Sequence, residues 1–442
     1  MTTAAGTTPF GTPPDPSGSR QEEAGMAPFR PPADPTTAAL IRAARASQRS
    51  RLTRRSVLTS GLLGGAALAA AGCAPPEPPT SGTGGMPELT LPEDVSDTDK
   101  NVRWANWTAY LDMDDAGKRY PTLEAFTKQT GIEAHYTEDV DDNDTYFNKI
   151  APQLRAGQDI NRDIFTFTDW MANRIIREGL CQPLELIQMR NAGNLLEPLR
   201  DVSFDPGRRF SLTWQSGFAG IGYHKKKVGR EIKSVEDLWA DDLKGRISVL
   251  SEFRDTLGVI MLSQGVDIDG DFTKEQFEAA VAEVDKRVKD GYIRQIKGNA
   301  YLNDLKSGNA VAGIVWSGDL FVLRAETGDE DWEFVIPESG GTLWSDNMMV
   351  PITSRHRKNA QKLMDYYYDP KVAAEVAAWV NYISPVEGAR EEMEKIDPEL
   401  ADSPFIFPSP DYIEKSNIQG FRALEPEQDA EYSEIWARTV GN

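Results

Sequence analysis

Residues 312–352 read AGIVWSGDLFVLRAETGDEDWEFVIPESGGTLWSDNMMVPI, and twice within them a strand-like run delivers a tryptophan into a polar turn. The apolar run 310–315 leads into Trp316 and Ser317-Gly318-Asp319, and Gly340-Gly341 leads through Trp344 to Ser345-Asp346 before another apolar run. Short apolar runs closed by Gly and Ser predict buried strands, which places both indoles and Asp346 at strand ends. Ligands of α/β folds gather there. An indole face attracts an organic cation by about 0.5–2 kcal/mol, and a carboxylate beside it adds a charge-assisted hydrogen bond. Either Trp taken alone reads more simply as core, so the rest of the chain has to supply matching residues.

It does so upstream. NVRWANWTAYL predicts a strand over 102–107 that runs into Thr108-Ala109-Tyr110. A helix over 120–129 stopped by Gly131, a strand over 132–137, a helix over 146–154 and a strand over 163–168 ending at Asp169-Trp170 follow. Strand alternating with helix defines an α/β fold with a mostly parallel sheet. The acid-rich runs 139–144 and 328–331 read as solvated loops. Thr273-Lys-Glu-Gln276 is a capping box opening a helix over 274–288; the acidic spacing just before it lacks the Gly of a calcium loop, with Phe272 in that place. Ala360, Leu363, Met364 and Tyr367 share one helical face, so the run Tyr366-Tyr367-Tyr368 reads as packing.

The motifs Asn106-Trp107-Thr108-Ala109-Tyr110, FTKQTGIEAHY, Thr168-Asp-Trp170 with REGLCQPL, Glu252-Phe-Arg254-Asp255, Ile314-Val-Trp316-Ser-Gly, Gly340-Gly-Thr-Leu-Trp344-Ser-Asp346 and Tyr382-Ile-Ser-Pro occur in order. Together they resemble the extracellular solute-binding proteins of spermidine/putrescine ABC transporters, over about residues 101–440. The resemblance implies a two-lobed periplasmic-binding-protein-like clamp of type II, each lobe a mostly parallel sheet flanked by helices. One lobe is expected at 101–218 plus 345–390 and the other at 219–344 plus 391–442, with crossings near 217–222, 344–346 and 388. By position the family's ligand-binding residues fall on Trp107, Thr108, Tyr110, Thr168, Trp170, Glu252, Asp255, Trp316, Trp344, Asp346, Tyr382 and Gln419. In that reading Glu252, Asp255 and Asp346 take ammonium groups and the aromatic residues flank the methylenes. Ala109 departs from the family, whose spermidine-binding members carry a Glu there, and Arg422 competes with Gln419 for the last position. The implied partners are a polyamine and a membrane permease, with no nucleic acid, no cofactor, no metal and a monomeric receptor that performs no chemistry. Rival readings are the same shape around ferric ion, thiamine or an amino-acid-like amine, and an extracellular hydrolase using two cleft carboxylates.

Charge and cysteines bound the rest. The chain of 442 residues carries a net charge of −21, and residues 1–72, with eight Arg against four acids, hold +4 of it, which leaves −25 for the remainder. Such a body repels nucleic acid. Residues 1–50 lack lasting periodicity and are expected to be a disordered extension. Arg54-Arg55 precede an apolar stretch over 57–71 that ends Ala70-Ala71-Gly72-Cys73, so 51–73 resembles a twin-arginine export signal joined to a lipobox, with Cys73 lipidated. Residues 74–100 have the Pro, Gly, Ser and acid content of a tether. With Cys73 acylated, Cys181 has no partner for a disulfide and reads as a buried hydrophobe. The histidines His135, His224 and His356 are scattered and suggest no Ser-His-Asp or metal-ligand spacing.

Overall fold

The computed structural model describes residues 90–114 and 117–441. The extension 1–50, the signal 51–73 with Cys73, and the first part of the tether lie outside the described residues. Eleven strands are described: β1 Asn101–Trp107, β2 Glu133–Val140, β3 Ile164–Thr168, β4 Cys181–Gln182, β5 Ser211–His224, β6 Ile247–Leu250, β7 Ile293–Lys297, β8 Ala312–Trp316, β9 Trp332–Val335, β10 Thr342–Pro351 and β11 Gln419–Gly420.

The main sheet runs β2-β1-β3-β10-β5-β8-β6-β7. At one end β1 pairs in parallel with β2 and β3; at the other β6 pairs in parallel with β7 and β8. Between these triplets, β10 and β5 run antiparallel to each other and to their outer neighbours. All fourteen residues of β5 are buried. One half of β10, Asp346–Met349, pairs with β3, and its other half meets Gly217–Ala219 of β5 and the short β11. The result is a two-lobed α/β protein whose parallel halves are joined by two long strands.

Local chemistry explains the element boundaries. The helix Pro121–Thr130 starts with Pro in its first turn and stops at Gly131 in the left-handed region, φ 70°. Thr273 and Gln276 cap the helix Lys274–Lys289 reciprocally, as the sequence predicts. Trp104, Trp214 and Tyr367 pack on one another with centroids 4.8–5.5 Å apart, and Tyr367 and Tyr368 of the tyrosine run are core while Tyr366 is half-buried. Cys181 is buried, and burial raises its thiol well above the ordinary value.

Three expectations shift. Residues 94–100, read as tether, are docked on the body: Asp94 accepts from the Lys358 amide at 3.0 Å, and buried Ser96 accepts from the Asn359 amide at 3.2 Å. Asp139–Asp144 is not a free loop, because Asp141 accepts from the Ala300 amide at 2.8 Å and Asp142 from the Ser251 hydroxyl at 2.6 Å. It thus ties the β2 end of the sheet to loops after β6 and β7. Trp344 and Asp346 sit inside β10 rather than at a strand end, because the run continues unbroken from the turn at Gly340-Gly341 across the molecule.

Candidate functional site

The carboxyl ends of the two parallel triplets face one another across β10. From one side come Trp107 at the end of β1, Thr108 and Tyr110 just after it, Asn143 at the start of the helix Asn143–Arg155, and Thr168 at the end of β3. From the other come Glu252 and Asp255 after β6, Asn299 after β7, Trp316 at the end of β8, and Asp319 in the first turn of the helix Ser317–Thr327. Trp344 and Asp346 of β10 and Tyr382 complete the lining of a cavity of about 30 Å³. The pairing of β10 with β5 loses register between Ser345 and Asn347. An irregularity of that kind re-aims the side chain it contains, here Asp346.

Five rings enclose the space. Trp107 meets Trp316 with centroids 6.0 Å apart, Trp316 meets Trp344 at 6.5 Å, Trp344 meets Tyr382 at 5.2 Å and Tyr382 meets Tyr110 at 5.3 Å. Among the described residues no Lys or Arg lies over any of these five rings. The cation attraction of these rings is therefore not already spent on a protein side chain. Tyr382 is seated by two glycines: a Cβ on Gly217 would lie 2.7 Å from its ring, and one on Gly318 would lie 2.6 Å from it. Gly318→Ala is therefore expected to push Tyr382 off its seat and cost about 1–3 kcal/mol of stability. Thermal melting checks this, and an unchanged melting temperature would show that the ring has room to move.

Four acids line the cavity. Asp255 accepts from Trp316 Nε1 at 2.8 Å and from Thr342 Oγ1 at 2.7 Å. Thr168 Oγ1 donates to Asp346 at 2.7 Å, and Asp319 accepts from the hydroxyls of Tyr301 and Tyr382, both at 2.8 Å. Asn143 Nδ2 donates to Glu252 at 3.2 Å. Burial pushes Asp255 and Asp346 up to about 7 and Asp319 up to about 6; it also raises Glu252. Among the described residues Asp255, Asp319 and Asp346 have no ion pair, whereas Glu252 has one with Arg254 at 3.1 Å. Burying acids without counter-charges is costly unless a cation joins them.

Ten of the twelve residues carried over from the resemblance line this cavity: Trp107, Thr108, Tyr110, Thr168, Glu252, Asp255, Trp316, Trp344, Asp346 and Tyr382. Trp170 lies outside it, with its ring covered by the Arg254 guanidinium 3.7 Å from the centroid. Gln419 is also elsewhere, accepting from the amides of Ile268 and Asp269 at 3.0 and 3.4 Å. Arg422 bonds Gln428 and lies over Phe272, 4.3 Å from its centroid. Sequence reading missed Asn143, Asn299 and Asp319. Asp319 follows Trp316 by three residues, in the helical turn that opens at a strand end, and that position was its signal.

A two-lobed fold with facing strand ends and an enclosed lining between them is the architecture of a periplasmic binding protein. Residues 122–407 match the model of the bacterial extracellular solute-binding protein family, and the chain belongs to that family. It is 27% identical over 326 residues to the spermidine/putrescine-binding periplasmic protein of Salmonella typhimurium, covering 74% of this chain and 88% of that one. It is 23% identical over 357 residues to the putrescine-binding periplasmic protein PotF of Escherichia coli K12, covering 77% and 91%. The spermidine/putrescine ABC transporter substrate-binding protein PotD of Streptococcus pneumoniae superposes with a TM-score of 0.60 at 24% identity, covering 77% and 98%. The binding protein MotA of A. tumefaciens B6, in complex with glucopine, superposes with 0.59 at 15% identity, covering 77% and 99%. These structural likenesses establish the fold.

Proposed function

We propose that this protein captures a polyamine outside the cytoplasmic membrane, by closing its lobes over it, and delivers it to the permease of an ABC importer. One observation carries the reading: five aromatic rings bearing no protein cation enclose three buried acids without ion partners. An alkyl diamine matches this lining, with ammonium groups for Asp255, Asp319 and Asp346 and methylenes for the indoles. The names of the relatives point the same way. Hydrogen bonds between the Asp141–Asn143 segment and the loops after β6 and β7 would then be closure contacts. The division of the lobes at residues 218/219, 344/345 and 390/391 belongs to this proposal, and so do the ligand-binding roles of the lining residues. Export by a twin-arginine signal and anchoring through Cys73 are proposed from residues 51–73.

The chemistry disfavours the rivals. Ferric ion calls for phenolate oxygens turned to one point, whereas the Tyr382 hydroxyl is donated to Asp319 at 2.8 Å. A hydrolase working with two carboxylates needs one held ionised and the other protonated, whereas burial pushes Asp255 and Asp346 up alike, to about 7. An amino-acid-like amine has one observation in its favour: the buried indole N–H groups of Trp107 and Trp344 have no partner among the described residues, and a carboxylate would accept from them. The same carboxylate would face three acids.

A thermal-shift panel of putrescine, spermidine, spermine, thiamine, ferric citrate and 4-aminobutanoate tests the assignment. The diamine or triamine is expected to raise the melting temperature, since a ligand at about 100 times its dissociation constant adds about 2.7 kcal/mol. A rise with thiamine, ferric citrate or 4-aminobutanoate alone would overturn the reading.

A further inference from the structure

The acids of the amine cavity have a counterpart of opposite sign elsewhere in the chain. The segment between β4 and β5, with the start of β5, lines a separate cavity of about 350 Å³ that shares no residue with the first. That volume lies in the range of small-molecule sites. Leu186, Met189, Leu195 and Leu212 give it apolar walls, the last three of them buried. Its charged lining is Arg190, Arg200 and Arg208, with no acid, in a chain whose net charge is −21.

Arg208 is 2% exposed and has φ 53°, a left-handed backbone that residues with a β-carbon seldom adopt. Its guanidinium bonds the Leu199 carbonyl, Ser211 Oγ at 3.2 Å, Asn347 Oδ1 at 2.8 Å and Thr213 Oγ1 at 2.7 Å, all neutral acceptors. Four of its five donors are used in this way, and among the described residues it has no ion pair. Asp169 and Asp205 act on it through intermediaries, since Asn347 bonds Asp169 at 2.6 Å and Ser211 bonds Asp205 at 2.7 Å. A charge this deep ordinarily has a direct partner.

Arg190 and Arg200 are exposed and form the mouth. Arg200 bonds the carbonyls of Leu195 and Gly193 at 2.7 and 2.9 Å and meets the exposed Glu387 at 3.5 Å. Arg190 has no hydrogen bond or ion pair among the described residues and acts on Asp365 only at longer range. An anion with a hydrocarbon body answers both halves of this lining. Carboxylate oxygens accept charge-assisted, often paired, bonds from guanidinium groups, and methylenes gain by leaving water for leucine and methionine walls.

We infer that this cavity binds a small aliphatic carboxylate free in solution, its carboxylate toward the arginines and its chain against Met189, Leu195 and Leu212. The inference stands apart from the amine reading, because the two cavities have no residue in common.

Calorimetry and thermal melting of the full chain with octanoate, acetate and octan-1-ol test it. Wild type is expected to bind octanoate and to bind acetate and octan-1-ol at least roughly tenfold more weakly, since each offers half of the match. Arg190→Gln should weaken octanoate by roughly threefold, as loss of an exposed charge does, and Arg190→Gln combined with Arg200→Gln by roughly tenfold or more. Both side chains are exposed, so the test leaves the buried Arg208 undisturbed. No binding of octanoate, equal binding of acetate or octan-1-ol, or undiminished affinity in the double variant overturns the inference, whatever putrescine does.

Discussion

Replacing Asp255 and Asp346 together by Asn abolishes measurable diamine binding at micromolar concentrations, and Asp346→Asn alone weakens it by at least about tenfold. Both substitutions keep shape and remove charge. Truncating one partner of a buried, hydrogen-bonded charge pair costs roughly 2–5 kcal/mol, or roughly 30-fold to a few thousand-fold in affinity. Each acid is held by neutral donors, Trp316 and Thr342 for Asp255 and Thr168 for Asp346, so its charge is not already balanced by the protein. The ligand-free variant gives the control. Burial penalises both carboxylates in the empty protein, so the Asn forms should melt no lower than wild type while binding is lost. Calorimetry paired with melting reads both effects. Unchanged affinity would remove these residues from the site, and a melting temperature that falls with the affinity would mark them as structural.

Affinity for the diamine is expected to fall by about ten- to a hundredfold per pH unit below pH 6. Asp255 and Asp346 are raised from 3.8 to about 7 and Asp319 from 3.8 to about 6, by burial above all. Each group therefore binds more protons in the folded, empty protein than in the unfolded chain between its two values. Its contribution to stability then declines as pH rises from about 4 through its folded value, and an empty cavity is least stable when its acids are all ionised. An incoming dication reverses this, because it stabilises the ionised form and expels the protons still held. Calorimetry at pH 5.5, 6.5 and 7.5, repeated in buffers of different ionisation enthalpy, should show proton release on binding and a melting shift that grows with pH. A flat profile would mean that the ligand meets acids already ionised, or none.

Much of the fold was legible because its signals are local. Strand runs such as IFTFT and AGIVW, the stop at Gly131 and the capping box at Thr273 all appear where they act. Trp316 was correctly placed at a strand end for the same reason. Trp344 and Asp346 were misplaced because a polar Ser-Asp pair usually ends a buried strand, whereas β10 bonds to neighbours on both sides and buries Asp346 at 4% exposure against Thr168 and Tyr110. The acid run 139–144 misled in the opposite direction. Its charge suggests solvent, but Asp141 and Asp142 receive hydrogen bonds from segments more than a hundred residues away, and nothing local announces them. Gly298 records that approach: a Cβ there would stand 1.9 Å from the Asp141 carbonyl oxygen. Asn143, which opens a helix, and Asn299, in a turn after β7, are neutral amides, a residue type too common to single out. Trp170 was carried over by position, and its ring carries the Arg254 guanidinium, a neighbour that no local signal announces.

The central claim is that these rings and acids form one box around an elongated organic cation. A crystal structure of the protein grown with putrescine tests it most directly. The account predicts one amine inside the cavity, its nitrogens within hydrogen-bond reach of Asp255 or Asp319 and of Asp346, and its carbons against Trp316 and Trp344. An empty cavity, or an amine seated beside Arg422, would contradict it.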